Sequence, residues 1–430
     1  MKLGEVVSFQ KGKKPSDLTS EQTEVTPFPY IDIKAFEKNI YQQYTSGQKS
    51  ILCDEGDIVI VWDGARSGLI GKTPKGAIGS TLAKVIPDEI LEPDYLFHFL
   101  RKQYDYLNKN TKGTGIPHID PQLLSKIEIE IPPIKQQKQI VAKLDTLLGR
   151  VKSAQERLQK IPVLLKQFRQ RVLEDAVSGK LTEDWRTENS FEDSEALENI
   201  ISYRRKQYNT AKLPRGLNGK KDYTIIEIFP IPSSWQWTVI DQIGVVSLGG
   251  TPSRKNDSYW NGKINWVSSG EVNNSIILKT TEKITQFGLE NSNAKIYPRD
   301  TVLIAMIGEG KTRGQSAILG IDAATNQNIA GVIIDNPFVV SKYLWYYLLS
   351  SYDKLRGNAS GGAQPALNSE KVGEILFPLP PVSEQLEIIH RIESLIAISN
   401  QIESRYQILK AQFDQLPQAI LAKAFRGELM

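Results

Sequence analysis

The chain has few of the residues on which metal centres and disulfide frameworks depend. Its 430 residues include one cysteine, Cys53, and three histidines. One cysteine excludes an internal disulfide framework, and three scattered histidines do not favour a zinc site. No run of about 18 apolar residues occurs, and the N-terminal residues lack the apolar core of a signal peptide. These absences predict a cytoplasmic protein that binds no metal.

Motifs that would carry catalysis are incomplete in this sequence. Residues 308–312 spell GEGKT, but the first glycine of a phosphate-binding loop would fall at Ala305. The DNPF at 335–338 resembles part of the catalytic motif of adenine methyltransferases, yet no glycine-rich adenosylmethionine fingerprint accompanies it. Cys53 has no clear histidine partner, so we expect a buried or edge residue rather than a nucleophile. The sequence therefore predicts a chain that is not an enzyme and has no cofactor of its own.

The most informative feature that the sequence does contain is a duplicated segment. Residues 116–181 align with 364–429 at a constant offset of 248 and without a gap. Each copy runs from a Pro-Pro loop into a long segment whose apolar residues recur at steps of three and four, as in a coiled coil. The predicted seam contains Ile140, Leu144, Leu147, Val151, Leu158, Leu165 and Phe168 in the first copy, and Ile388, Ile392, Leu395, Ile402, Tyr406, Leu409, Phe413 and Leu416 in the second.

Each repeated helix is the natural partner of the other, so we predict an antiparallel pair. Pro162 and Pro417 fall inside the two ladders, and each should kink or break its helix. Gly179 and Gly427 suit left-handed caps at the helix ends. The alternative is that each helix packs only on its own globular domain.

The segments between the repeats define the domain organisation. Residues 1–133 and 233–380 contain short apolar strands separated by Gly, Pro and Asn turns, with one helix each near the end. They are faintly similar to each other, as VVSFQKGKKPS and VVSLGGTPS show. The connector should pack on the far end of the helices, with Arg204, Arg205 and Lys206 on a solvated helix face. We predict a first globular domain (domain 1) over 1–133, helix 1 over 134–181, a connector over 182–232, a second globular domain (domain 2) over 233–380 and helix 2 over 381–430.

The fold class that follows is α+β with pseudo-two-fold symmetry. Two globular domains of mixed or antiparallel short strands plus helices are separated by two long antiparallel coiled-coil helices.

Positive charge is concentrated on the first repeated helix. The whole chain has a net charge of +4, but residues 134–180 contain 11 Lys and Arg against 4 Asp and Glu, a net +7. A solvated helix face explains such a charge, and so does a surface that meets DNA or a partner protein. The sequence favours the solvated face and leaves the other interpretation open.

The order of motifs resembles that of one known family. The second half contains, in order, GGTPSRKNDSYWNGKINWVSSGEV, YPRDTVLIAMIGEGKTRG, TNQNIAGV, GGAQPALN and LPPVSEQLEIIHRIESL. The first half contains YIDIKAF, EGDIVIVWDGARSG, IPPIKQQKQIVAKLDTLL and AVSGKL. Together these motifs resemble the specificity subunit of type I restriction-modification systems, and the resemblance covers nearly the whole chain.

The resemblance implies a sequence-specific DNA-binding subunit with two target-recognition domains. Its target would be bipartite and non-palindromic, with one half for each domain. Methylation would reside in partner methyltransferase subunits, two of them, which use S-adenosylmethionine, and a restriction or translocase subunit would join later. Expected partners are double-stranded DNA and these proteins, with no membrane. The alternatives are a fused methyltransferase-nuclease and a coiled-coil scaffold that binds proteins only.

Cations and amides in charged or glycine-rich loops are the candidates for DNA contact. Lys and Arg side chains neutralise phosphates, and Asn and Gln amides pair with adenine. We expect Tyr259, Trp260 and Trp266 to lie in the core instead. The candidates are Lys11, Lys13, Lys14, Arg66, Lys72 and Lys112 in domain 1, and Arg254, Lys255, Lys311, Arg313, Asn326, Gln327, Asn328, Arg356 and Gln364 in domain 2.

Overall fold

The computed structural model describes residues 1–113, 115–189, 196–208, 212–308, 311–356 and 367–429. The chain divides into two compact units. Unit 1 consists of Met1–Ile161 and Arg405–Met430, and unit 2 of Pro162–Ser404. Each unit therefore combines one recognition domain with a part of both repeated helices.

Unit 1 contains an N-terminal domain of short strands and short helices, followed by a long helix. Its two sheets have the strand orders β1–β8–β5–β6 and β3–β2–β7–β4, and β2 and β7 are parallel. The strands are β1 (Val7–Lys11), β2 (Phe28–Ile31), β3 (Tyr44–Thr45), β4 (Leu52–Cys53), β5 (Ile58–Val61), β6 (Ile70–Lys72), β7 (Gly76–Ile78) and β8 (Leu82–Pro87). The helices are α1 (Leu3–Val6), α2 (Ile33–Lys38), α3 (Pro93–Lys102), α4 (Tyr104–Lys109), α5 (Pro121–Lys126) and α6 (Ile134–Leu158).

Unit 2 repeats this arrangement with longer insertions. Its sheets have the orders β10–β18–β15–β16–β12 and β13–β11–β17–β14, with an additional pair β19–β9. The strands are β9 (Gln236–Val239), β10 (Val245–Leu248), β11 (Trp260–Val267), β12 (Ile276–Ile277), β13 (Glu282–Ile284), β14 (Ile296–Tyr297), β15 (Val302–Ala305), β16 (Ser316–Leu319), β17 (Ala323–Thr325), β18 (Ile329–Ile333) and β19 (Leu376–Leu379). The helices are α7 (Ile161–Val177), α8 (Glu183–Glu188), α9 (Ala196–Gln207), α10 (Ile240–Ile243), α11 (Gln286–Glu290), α12 (Ser341–Ser350), α13 (Tyr352–Arg356), α14 (Ser369–Gly373) and α15 (Val382–Ala424), of which the part from Arg405 onwards belongs to unit 1.

Strand β5 shows why the apolar run DIVIVW has no polar alternation. Ile58 and Ile60 face one hydrophobic core together with α3, whereas Val59 and Val61 face a second core with β2 and β7. A strand that is buried on both faces is apolar at every position. Strand β15 repeats the pattern in unit 2, where its residues also alternate between two cores.

The repeated helices are antiparallel where they meet within each unit. In unit 1, Gln155 of α6 donates to the carbonyl of Phe413, and Lys143, about three turns earlier, donates to the carbonyl of Leu429. In unit 2, Arg169 of α7 contacts Asn400 at 2.9 Å, and Arg391, nearer the start of α15, donates to Leu181 O, beyond the end of α7, at 2.9 Å. The α+β class and the antiparallel pairing of the helices are therefore confirmed.

The end of each repeated helix packs on the recognition domain of the other half of the sequence. Val172, Leu173 and Ala176 of α7 belong to the core of unit 2. Leu421 and Ala424, at the end of α15, belong to the core of unit 1. The alternative in which each helix packs only on its own domain is therefore wrong.

The predicted seam is buried in part. Phe168, Ile402 and Leu409 are exposed, which corrects the prediction at these positions. The cause is the break between α6 and α7. Apolar residues that recur every 3.5 residues stay on one face only while the helix is continuous, so the seam cannot face its partner throughout. Fully buried members are Ile140, Leu144, Val151, Leu165, Ile388, Ile392 and Tyr406, and partly buried ones are Leu147, Leu158, Leu395, Phe413 and Leu416.

The two prolines behave differently. The helix breaks before Pro162, which lies in the first turn of α7, where proline is tolerated. Helix α15 continues through Pro417, so of the kink or break expected there, the break does not occur. A proline at 417 leaves the carbonyl of Phe413 without its helical donor. The Gln155 side chain supplies that donor at 3.1 Å.

Glycines cap the helical segments as predicted. Gly179 has a φ of +80° and Gly427 a φ of +77°. This left-handed conformation is accessible to glycine without strain and ends a helix.

The connector packs on the beginning of α15 in unit 2, where the buried Glu384 accepts hydrogen bonds from Thr182 and from the indole of Trp235.

One expectation for the connector, that Arg204 lies on a solvated helix face, is wrong. Arg204 is fully buried, whereas Arg205 and Lys206 are exposed. Arg204 lies on the inner face of α9 because its guanidinium satisfies carbonyls around α10.

In the parts of the chain that the structure describes, no helix is both long enough and apolar enough to cross a bilayer.

Candidate nucleic-acid interface

Each unit carries three neighbouring loops at one end of its central strand. The first loop follows β1 or β10, the second connects β5 to β6 or β15 to β16, and the third connects β7 to β8 or β17 to β18. We propose these loops as the candidate interface because candidate cations and amides from distant parts of the sequence converge there. The described residues of these loops are 12–18, 62–69 and 79–81 in unit 1, and 249–256, 306–308, 311–315 and 326–328 in unit 2.

Equivalent backbone hydrogen bonds join the loops in unit 1 and in unit 2. In unit 1, the N–H of Gly12 donates to Leu82 O at 2.9 Å, and that of Trp62 to Thr81 O at 2.8 Å. In unit 2, the N–H of Met306 donates to Asn328 O at 2.9 Å in the same way as Trp62. The two units therefore present one backbone frame with different side chains.

The second loop is supported by a short helix in both units. In unit 1, the Asn108 side chain at the end of α4 donates to Ala65 O at 3.1 Å and to Ser67 O at 2.9 Å. In unit 2, the Arg313 guanidinium donates to Arg356 O at 2.9 Å, at the end of α13. The loop is thereby fixed relative to the core, as a recognition element needs to be.

Three of the domain 1 cations gather around the second loop. Lys11 is paired with Asp63 at 2.8 Å, and Arg66 with Glu37 at 2.6 Å. Lys112 is paired with Asp120 at 2.9 Å, and this hydrogen bond holds the pKa of Asp120 below its usual value. The segment around Lys112 is joined to the loop, because the N–H of Gly64 donates to Pro117 O.

Lys13 and Lys14 differ from these paired cations. Both are exposed on the first loop, and neither has an acidic partner among the residues that the structure describes. They are therefore the cations of domain 1 most available to phosphate.

Lys72 lies apart from the three loops. It is opposite Ile58 at the start of β5, whereas the second loop follows the end of that strand. Lys72 forms an ion pair with Asp94, and its ammonium lies 5.5 Å from the centre of the Phe97 ring. These contacts give it a structural role at the other end of the sheet.

In unit 2 the first and third loops are joined through side chains. Thr251 donates to the Gln327 amide oxygen at 2.5 Å. Asn326 is only 9 % exposed, and its side-chain oxygen accepts from the N–H of Asn328 at 3.1 Å. Gln327 is exposed and Asn328 partly exposed, so these two amides are the ones that a base could reach.

Arg254 and Lys255 are exposed on the first loop, whereas Lys311, Arg313 and Arg356 lie around the second. The Tyr352 hydroxyl donates to Lys311 O at 2.6 Å, and the Arg356 guanidinium donates to the Tyr352 hydroxyl at 3.3 Å. Lys311 is exposed, while Arg313 and Arg356 are partly buried. Gln364 lies outside the described residues.

Sequence reasoning missed Ser80 and Thr81, which form the third loop of domain 1. They occupy the places of Gln327 and Asn328 in the backbone frame, and Ser80 is exposed. Neither carries a charge or an amide, so a search for cations and amides passed over them. The signal was the faint likeness of IGSTLAKV to TNQNIAGV.

Residues that hinted at catalysis have structural partners. Asp335 of DNPF lies 2.6 Å from the Arg204 guanidinium and accepts a hydrogen bond from Tyr208. Cys53 is buried, as expected, and burial raises the pKa of its thiol. Of the aromatic residues expected in the core, Trp266 is buried, and Tyr259 and Trp260 are partly buried.

A buried glutamine at the start of each repeated helix positions that helix on the recognition domain. The side chain of Gln137 accepts from Glu92 N at 2.8 Å and donates to Ile90 O at 2.9 Å and to Pro132 O at 2.8 Å. Gln385 makes the corresponding three bonds in unit 2, at 2.8–3.0 Å. Both side chains are fully buried.

Gln137→Leu is expected to destabilise unit 1 by about 3 kcal/mol, because a buried N–H and two carbonyls lose their partner. Hydrogen exchange of the α3 and α6 amides measures the loss. Gln401→Leu, at an exposed position of α15, is the matched control, with an expected change within about 0.5 kcal/mol. Equal protection in the two variants would contradict the role of Gln137.

Comparison with known proteins gives consistent results. A family model described as the type I restriction modification DNA specificity domain matches residues 1–163 and 232–410. The chain is 28% identical to the type I restriction enzyme EcoDI specificity subunit of Escherichia coli, over 80% of this chain and 72% of that protein. It is 25% identical to the MjaVIII specificity subunit of Methanocaldococcus jannaschii, over 100% of this chain and 92% of that protein.

Solved structures show the same fold. The crystal structure of the HsdS subunit from Thermoanaerobacter tengcongensis superposes with a TM-score of 0.61 at 20% identity, covering 100% of this chain and 96% of that one. A chain from a structure concerned with complex assembly of the type I R-M system gives a TM-score of 0.60 at 19% identity, covering 100% and 97%.

Proposed function

This chain belongs to the type I restriction modification DNA specificity family, and from that premise we propose that it is the DNA-reading subunit of a type I restriction-modification complex. It reads a bipartite, non-palindromic site, one half with the loops of each recognition domain. The observation that carries the proposal is that the two units share one loop frame but carry different side chains on it. Because the loop backbones are the same, each unit can approach DNA in the same way. Because the side chains differ, each unit can read a different half-site.

Two kinds of contact divide the work of DNA binding. Exposed cations such as Lys13, Lys14 and Lys255 bind phosphates, which supplies affinity without sequence information. Polar side chains of the third loops, Ser80 in domain 1 and Gln327 in domain 2, reach base edges in the major groove.

Partner subunits supply the chemistry. Two methyltransferase subunits, each with its own S-adenosylmethionine, bind the repeated helices, and this chain has no catalytic role. Val163 and Leu164, two consecutive exposed apolar residues of α7, support this docking, because contiguous exposed apolar surface marks sites of protein interaction. A restriction or translocase subunit completes the complex. We propose a cytoplasmic location, because the DNA substrate lies there.

Genome-wide mapping of methylated bases, with and without the gene in the source cell, tests this function. Deletion is expected to remove one bipartite motif completely, and the intact gene is expected to restore it. A methylation pattern that is identical in the two strains would refute the assignment. DNA retention by the complex at several salt concentrations separates this function from that of a protein-only scaffold.

The double variant Lys13→Ala and Lys14→Ala is expected to weaken DNA binding by the assembled complex similarly for all sequences. Loss of two phosphate contacts should also reduce the slope of log K against log salt by about 1.8. Titration of labelled DNA at four salt concentrations measures both effects. Lys75→Ala, at the opposite end of β6 from the second loop, is the control. An unchanged slope would remove both lysines from the interface.

A further inference from the structure

One arginine of the first loop in unit 2 is exposed and yet held in place. The guanidinium carbon of Arg254 lies 3.9 Å from the centre of the Trp260 ring and 5.2 Å from that of Trp266. Both of its terminal nitrogens bond to the Glu282 carboxylate, Nη2 to Oε2 at 2.9 Å. More than half of the Arg254 side chain nevertheless remains exposed, at 55%.

The surroundings of Arg254 are themselves anchored to the same loop. The Trp260 indole N–H donates to Ser253 O at 3.2 Å, and the Trp266 indole N–H donates to Gly250 O at 3.0 Å. The two rings meet edge to face at 5.1 Å. The guanidinium is therefore orientated before any ligand arrives, which lowers the entropic cost of binding.

The hydrogen-bonding capacity of Arg254 is only partly used. A guanidinium has five N–H donors, and the carboxylate of Glu282 takes two of them. The other three have no acceptor in the described parts of the chain. The Nε–H and an outer Nη–H on one edge form a fork that matches the N7 and O6 acceptors of guanine in the major groove.

Glu282 also decides which acceptor fits. A phosphate brought to the free edge of Arg254 would lie near a carboxylate of the same sign, which opposes its binding. A guanine edge is uncharged and meets no such repulsion. The ion pair therefore favours a base over the DNA backbone.

Domain 1 has the opposite charge at the corresponding place. The sequences KKPSD and GTPSR align so that Asp17 stands where unit 2 has Arg254. The Asp17 carboxylate accepts from Ser46 N at 2.8 Å and from the Thr45 hydroxyl at 2.6 Å. The bonds from Ser46 and Thr45 lower the pKa of Asp17 to about 2. The two domains thus present an anion and a cation on equivalent loops, as expected for unlike half-sites.

We propose that Arg254 is a specificity-determining residue that reads a guanine in the half-site of unit 2, with Glu282 and Trp260 as its positioning residues. This inference rests on the proposed function.

The test uses the full chain, coexpressed with its methyltransferase subunits in a host without such a system, and maps methylated bases over a library of randomised targets. Arg254→Lys keeps the charge but loses the fork. The preference for guanine at one position of one half-site is expected to fall on the order of ten- to a hundred-fold. The other half-site is expected to remain unchanged.

A charge exchange separates base reading from loop anchoring. Arg254→Glu combined with Glu282→Arg retains the ion pair but moves the guanidinium away from its place. If Arg254 only anchors the loop, the exchange restores the wild-type motif, and the inference is overturned. We expect instead that the guanine preference stays lost while thermal unfolding returns towards that of the wild type.

The controls distinguish the remaining outcomes. Arg299→Ala also removes one arginine, but Arg299 precedes β15 and therefore lies at the end of that strand opposite to the second loop. This variant is expected to leave the methylated motif intact. If Arg254→Lys weakens methylation of all targets equally, Arg254 makes a contact that does not distinguish bases, such as one with a phosphate. That result would overturn this inference and leave the proposed function standing. Absence of any methylated motif with the wild-type chain would overturn the proposed function, and this inference with it.

Discussion

Arg204→Met is expected to destabilise unit 2 by about 3–5 kcal/mol, because it removes one partner of a buried ion pair. The Arg204 Nε lies 2.6 Å from Asp335 Oδ1. Its terminal nitrogens donate to Asp241 O, Gln242 O and Gly244 O at 2.7–2.9 Å. Methionine fills a similar volume but leaves the Asp335 carboxylate without its cationic partner and three carbonyls without the guanidinium donor.

The effect should be local at first. Helix α9 is attached to the recognition domain chiefly through its buried residues Ile200 and Arg204. Hydrogen exchange is the suitable measurement, because a chain of two units does not unfold in a single transition. The amides of α9 and α10 are expected to lose protection in the variant.

Arg205→Met provides the control, since Arg205 is exposed on the same helix. Its expected effect is within about 0.5 kcal/mol. Similar protection of α9 in the two variants would show that the buried ion network does not hold the connector in place.

Much of this fold could be predicted because the sequence repeats its own signals. The ladder of apolar residues gave the antiparallel helices, and the apolar run of β5 gave a central strand. Gly179 and Gly427 marked the helix ends, and both have positive φ. These features depend on local periodicity and conformation, which a sequence carries directly.

The errors arose where tertiary contacts decide the outcome. Arg204, in a run of three cations, suggested a solvated face, but carbonyls from a distant segment satisfy it inside the protein. Pro417 was expected to kink or break its helix, but α15 continues without a break, and the amide of Gln155 replaces the missing donor. Nothing local to either residue indicates the partner that it meets.

The sequence predicted cations that the structure places on the loops, but it did not predict the backbone frame that joins these loops; contact with DNA stays a prediction. Lys13, Lys14 and Lys255 are exposed on the loops where charge suggested a contact. Ser80 was missed as a candidate for base contact, because only the folded structure places it beside the second loop. Lys72 was chosen for its charge, and the structure puts it at the other end of the sheet.

Exchange of one recognition domain has the largest effect expected on specificity. Residues 1–130 would be replaced by the matching segment of a family member with a different motif, while the segment from Ile131 onwards stays native. The donor needs aromatic residues at the positions of Tyr95 and Phe99, because both pack on Phe425 at the end of α15. If these contacts with Phe425 are retained, the repeated helices should pack and the partner subunits should bind as in the native protein.

Mapping of methylated bases in cells that carry this exchanged chain is the most direct test of the division of labour between the two units. One half of the motif is expected to be replaced completely by a half-site of the donor, and the other half to be retained base for base. The reciprocal exchange of domain 2 should alter the opposite half. A change in both halves from a single exchange, or in neither while methylation persists, would contradict the account.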